Sequence, residues 1–121
     1  PLTDETRGMI NNEALALMKA DVSIVNTARG GLIVEADLVH ALKSGRIASA
    51  GLDVFEQEPT LEDNPLYELD NVILSPHVAG IDYLSRQAMG IEAANCIIDL
   101  AKGRWPDGAV VNAELKEKWC W

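Results

Sequence analysis

Aromatic side chains make up only 5% of this 121-residue chain, and cysteine occurs just twice, at Cys96 and Cys120. The apolar share of 48% is carried largely by Ala, Val, Ile and Leu, which suits helices packed on a buried parallel sheet. Neither cysteine has metal-site or redox-motif spacing, so no metal is expected and a reducing cytoplasm fits. No apolar run approaches the ~20 residues of a spanning helix, which excludes a membrane partner of that kind. Positive charge is scarce as well. Ten Lys and Arg against nineteen Asp and Glu leave a net charge of −9, which argues against a nucleic-acid partner, since a phosphate backbone needs a basic footprint. A small anionic ligand stays admissible, because one local arginine outweighs surface charge beyond the screening length.

What is present reads as a single α/β domain with short connections. Asn12 is the expected N-cap of a helix over residues 13–19. A buried strand follows at 22–26, and Gly30-Gly31 lets the backbone turn tightly after it. A helix is expected at 35–44, with Glu35 and Asp37 in its first turn and Lys43 in its last. Leu38, Val39, Ala41 and Leu42 form its apolar face, His40 lies partly buried among them, and Gly45 stops it. Residues 47–55 read as a second strand and 72–75 as a third, separated by a polar loop with one helical turn near Pro65. A long helix is expected at 82–102, where Leu84, Ala88, Ile91, Asn95 and Ile98 recur on one mostly buried stripe. Residues 1–103 thus form the α/β unit and 104–121 a tail, whose Trp119-Cys120-Trp121 ending reads as a natural C-terminus.

Strands joined through right-handed crossovers make a parallel sheet, and ligands bind beyond the carboxyl ends of its strands. Three motifs stand there: Asn26-Thr27-Ala28-Arg29-Gly30-Gly31, Asp53-Val54-Phe55-Glu56-Gln57-Glu58-Pro59, and Ser75-Pro76-His77-Val78-Ala79-Gly80. The planar fork of Arg29 matches a carboxylate and an adjacent 2-oxygen, which a lysine would hold less firmly. Its bland alternative is a surface salt bridge. His77 is suited to give a proton to a carbonyl or take one from a hydroxyl. Glu58 is suited to bond one imidazole nitrogen, fixing the ring and favouring its protonated form. Asp53 is either an acceptor for a cofactor amide or a turn aspartate.

In order and spacing, over roughly residues 1–112, these motifs and the opening Pro1-Leu2-Thr3 resemble the C-terminal half of the nicotinamide-binding domain of the D-isomer-specific 2-hydroxyacid dehydrogenases, phosphoglycerate- or hydroxypyruvate-type. The resemblance implies a partial Rossmann-like parallel sheet of about three strands, with flanking helices and a long C-terminal helix. It implies NAD as cofactor and a small 2-hydroxy or 2-keto acid as substrate. Arg29 would bind the substrate carboxylate, and His77 with Glu58 would form the acid/base pair. Cofactor contacts would come from Thr27, Ala28, Arg29, Asp53, His77, Val78, Ala79 and Gly80, with Pro1 and Thr6 toward the adenosine. Formate dehydrogenases of the same superfamily carry glutamine where Glu58 stands, so the glutamate favours hydroxyacid chemistry.

The family's G-x-G-x-x-G loop lies earlier in its chain, and no such run occurs here. The expectation is therefore a fragment that binds NAD(H) weakly and turns over nothing by itself. A sheet without its first strands has a bare edge, and the long helix resembles the family's dimerisation region. Both point to a homodimer. A non-catalytic reading also exists. Corepressors of the superfamily sense dinucleotides and keep a similar Arg, Glu and His set; a third reading is a stand-alone interaction module without catalysis.

Overall fold

The computed structural model describes residues 1–120; Trp121, the last residue of the Trp-Cys-Trp ending, lies outside the described residues. By packing, the chain falls into two compact units, Pro1–Ala79 and Gly80 onward. In the first, helix α1 (Asn12–Leu17) leads to strand β1 (Ser23–Asn26), a 3₁₀ turn at Gly30–Leu32, helix α2 (Glu35–Lys43) and strand β2 (Ser49–Leu52). A second 3₁₀ turn, Pro65–Glu68, precedes strand β3 (Val72–Leu74).

The three strands pair in parallel in chain order, with Val25 opposite Gly51 and Gly51 opposite Ile73. Sequential order with right-handed crossovers puts both connections on one face of the sheet. The core lies there: Leu15, Leu38, Leu42, Ile47, Leu52 and Leu66 are nearly inaccessible. The other face is bare. Val25 is 74% and Ile73 79% exposed, so β1 is not the fully buried strand expected from its apolar run.

Local chemistry explains the element ends. Asn11, not Asn12, caps α1, its Oδ1 accepting the Ala14 amide at 3.0 Å. The Asn12 amide is instead taken by Asp37 Oδ2 at 2.8 Å, which ties α1 to α2. The guanidinium of Arg46 donates to the Ala16 and Met18 carbonyls, satisfying the C-terminal end of α1. Helix α2 buries the four apolar residues expected of it, while His40 is exposed rather than partly buried. Its position points to the outer side of the helix, two residues after Leu38 and away from the apolar stripe. Gly45 ends the helix in the left-handed region at φ +72°.

The second unit is built on α3 (Tyr83–Ala101). Asp82 caps it, Oδ1 accepting the Leu84 and Ser85 amides at 2.9 and 3.0 Å. Beyond it, Trp105 and Trp119 meet edge to face with ring centroids 5.9 Å apart. The expected stripe of α3 is not buried: Leu84 is 71% exposed, and Ala88, Ile91, Asn95 and Ile98 are exposed too. Apolar periodicity marks a face that can be covered, and among the described residues of this unit that face stays exposed. Both cysteines are free thiols, and among the described residues no helix is long and apolar enough to cross a membrane.

Leu38→Ala should lower the unfolding free energy by about 2–5 kcal/mol, since it opens a cavity in a closed core. Glu62→Ala, exposed in the loop between β2 and β3, should stay within about 0.5 kcal/mol. Urea denaturation of the two variants checks the contrast.

Candidate active site

Each strand of the sheet ends in a turn that its own side chains or neighbours hold. Asn26, buried at the end of β1, donates from Nδ2 to the Arg29 carbonyl at 2.9 Å and accepts the Ala28 amide at 3.1 Å. The clamped turn leaves Thr27, Ala28 and Arg29 exposed. Arg29 Nη1 donates to the Ala28 carbonyl at 2.6 Å, which leaves most of the guanidinium free. Gly30 follows because nothing larger fits: a Cβ there would lie 1.9 Å from the Phe55 carbonyl. That close approach sets the turn after β1 against the segment after β2.

Asp53, directly after β2, is 3% exposed. Its Oδ1 accepts the Ser75 hydroxyl at 2.5 Å and the Val78 amide at 2.9 Å, and Oδ2 accepts the Ala79 amide at 2.9 Å. These bonds, the Ser75 hydroxyl first, hold its carboxyl below the usual aspartate range. They also bracket His77, whose φ of +56° lies in a region that residues other than glycine seldom occupy. Asp53 thereby positions the turn that carries the imidazole.

His77 Nδ1 lies 2.8 Å from Glu58 Oε2, and Glu58 Oε1 accepts the Phe55 amide at 2.9 Å. The His77 bond first, then the Phe55 amide, lowers the Glu58 carboxyl below its ordinary value. An ionised carboxylate can only accept, so Nδ1 carries the proton of this bond and Nε2 is the nitrogen left for exchange. Glu35, at the first turn of α2, accepts the Glu56 amide at 3.2 Å and the Asn64 side-chain amide at 2.8 Å, stapling the loop that presents Glu58.

Arg29, Glu58 and His77 line one cavity of about 230 Å³. A second, of about 440 Å³, opens on the other side of the Glu58–His77 pair, against Pro59, Thr60 and Pro76. The first cavity also takes in Arg7, a residue whose sequence context carries no signal. Thr6 Oγ1 accepts the Thr3 amide at 2.8 Å and donates to the Pro1 carbonyl at 3.0 Å, so Pro1 and Thr6 belong to one closed N-terminal turn. Gly80 begins the second unit. Asn26 was readable as a turn clamp from its spacing. Glu35 and Ser75 were not, because their partners lie 21 to 29 residues away. Among the described residues no group of His, Cys, Asp and Glu could hold a metal.

A carboxyl whose folded pKa is depressed contributes stability above its unfolded value and loses it as the pH falls through the folded one. Stability should hold above the ordinary aspartate value of 3.8 and fall as the pH descends below it. Asp53→Asn should be less stable than the parent at pH 6, and the gap in urea midpoint should narrow below that value. At neutral pH the Val78 and Ala79 amides should exchange with deuterium about tenfold faster or more in the variant, the loss of a charge-assisted acceptor.

With this geometry in place, comparison with known proteins is direct. Residues 1–79 match the family described as D-isomer specific 2-hydroxyacid dehydrogenase, NAD binding domain. A glyoxylate reductase of Thermofilum pendens is 48% identical over 115 residues, covering 95% of this chain and 34% of that protein. A D-3-phosphoglycerate dehydrogenase of Archaeoglobus fulgidus is 45% identical over 103 residues, covering 85% of this chain and 20% of that protein. Among solved structures, a D-lactate dehydrogenase with NAD+ from Lactobacillus jensenii superposes with a TM-score of 0.82 at 32% identity, over 93% of this chain and 38% of that one. The chain thus spans between a fifth and about a third of the curated relatives named here. A parallel sheet with this order of strand-end motifs, matched over more than half its length, makes the chain a member of the D-isomer-specific 2-hydroxyacid dehydrogenase family, within its NAD-binding part.

Proposed function

We propose that this chain is the catalytic portion of an NAD-dependent oxidoreductase that interconverts a small 2-hydroxy acid and its 2-keto acid. The observation that carries the reading is the 2.8 Å bond between His77 and Glu58 at the wall of a cavity that Arg29 also lines. Arg29 holds the substrate carboxylate and adjacent 2-oxygen through its free donors. In reduction, His77 Nε2 gives its proton to the 2-oxygen, and in oxidation it takes the hydroxyl proton. Glu58 keeps the ring in place and balances the imidazolium.

The residues fit a nicotinamide. Asp53 accepts three of about four possible hydrogen bonds and keeps one acceptor position on Oδ2, the kind of group a carboxamide N–H requires. Thr27, Ala28, Arg29, Asp53, His77, Val78, Ala79 and Gly80 would hold that end of NAD, and Pro1 and Thr6 the adenosine side. The bound nicotinamide supplies or accepts the hydride. Without a G-x-G-x-x-G loop, these residues hold only part of the dinucleotide.

The purified chain should accordingly show no saturable oxidation of a 2-hydroxy acid. The full-length protein that contains it should, and His77→Ala should lower its kcat by about 10²–10⁴-fold. Turnover that survives His77→Ala undiminished would sink the assignment. The homodimer belongs to the same reading and is supported by the uncovered apolar residues of α3 and the edge strand β1. Sedimentation of the purified chain should give twice the monomer mass, against a mass of 13.1 kDa for one copy.

A further inference from the structure

Arg7 reaches the cavity through backbone geometry, not by chance of a long side chain. Gly8 turns in the left-handed region at φ +63°, and its amide donates to the Gly31 carbonyl at 2.8 Å. Ile10 then pairs in parallel with Ile33, so the N-terminal segment runs alongside the chain leaving the Arg29 turn. Gly31 leaves the space that Arg7 occupies: a Cβ there would lie 3.1 Å from Arg7 Nη1 and 3.1 Å from Leu2 Cδ2. Two guanidinium groups, Arg7 and Arg29, therefore line one cavity of about 230 Å³.

The two guanidinium groups differ in their surroundings: the Arg29 charge acts on the Glu58 carboxylate, and Arg7 has no such partner among the described residues. Arg7 forms no ion pair or side-chain hydrogen bond with the other described residues, in contrast with Arg46 and Arg104, which are engaged. Glu58 is committed to His77 and the Phe55 amide. Glu56 is the other acid on the cavity wall, and it forms no ion pair with Arg7. A substrate with a single carboxylate, held by Arg29, would leave Arg7 unmatched. At ~30 Å³ per water the space amounts to roughly eight waters, enough for a small acid with one further anionic group.

We propose that Arg7 determines specificity by binding a second anionic group, a phosphate ester or second carboxylate, on the carbon next to the 2-hydroxyl carbon of the substrate. The assignment rests on the reading of Arg29 as the binder of the first carboxylate. The ¹⁵N-labelled chain would be titrated by NMR with D-lactate, D-malate and D-3-phosphoglycerate, which share the 2-hydroxy carboxylate and differ in the second anion. The expected result is affinity for the two probes with a second anionic group about tenfold or more above that for D-lactate, the scale of a hydrogen bond to a charged group. Arg7→Gln should erase that preference and leave D-lactate affinity unchanged, and Arg7→Lys should restore part of it as a point charge. Equal affinity for all three probes in the parent, no saturable shifts with any of them, or a preference that survives Arg7→Gln overturns the assignment. So does a loss of NAD(H) affinity in Arg7→Gln with the acid preference intact, which would give Arg7 to a cofactor phosphate. Arg29→Ala separates the underlying reading: if D-lactate binding ignores it, Arg29 is not the first binder. Arg7 is exposed, so an unchanged thermal melt of Arg7→Gln is the expected control for folding.

Discussion

At the end of the middle strand a carboxylate that water scarcely reaches collects three donors from the end of the next strand, and the site is hung on it. An ionised group in such a place is tolerated only when hydrogen bonds replace its hydration. Asp53 receives them from Ser75, Val78 and Ala79, which fall on both sides of His77. The histidine backbone can then remain in a sparsely populated conformation, because its neighbours on each side are already bound. Asp53 thus holds the main chain around His77, and the 2.8 Å contact with Glu58 is left to orient the ring.

A second constraint is an absence. Gly30 lets the β1 turn lie against the Phe55 carbonyl, closer than any side chain would permit. Arg29 sits immediately before that contact and Glu58 three residues after Phe55. The spacing between the Arg29 turn and the loop that bears Glu58 therefore depends on one missing Cβ. Glu35 adds a brace from α2, so the loop bearing Glu58 is held at both ends.

Charge works locally against the total. The chain carries −9, yet the cavity sets Arg7 and Arg29 beside only two acids, Glu56 and Glu58, so its lining is locally balanced. Acidic side chains elsewhere are spread over the surface, where screening weakens them within about 10 Å.

The order of elements, the parallel sheet, the buried face of α2 and the three strand-end motifs were legible in the sequence, because periodicity, turn residues and acid–base chemistry are local properties. So was the likelihood of contact among Arg29, Glu58 and His77, since strand ends of one parallel sheet converge. Other features depended on which segments meet. His40 falls off the buried stripe of α2, and the stripe of α3 has an apolar periodicity that burial did not follow, since a pattern states what could be covered and not whether anything covers it. The exposed face of Val25 and Ile73 came from both crossovers falling on one side. Arg7 joined the site through the pairing of Ile10 with Ile33, and Asp53 took its holding role from donors more than 20 residues away. The sequence by itself determined the chemical groups and the elements that carry them. The tertiary structure alone decided which of those groups share a cavity and which faces stay open, because distances between segments far apart in the chain are set by packing and not by local preference.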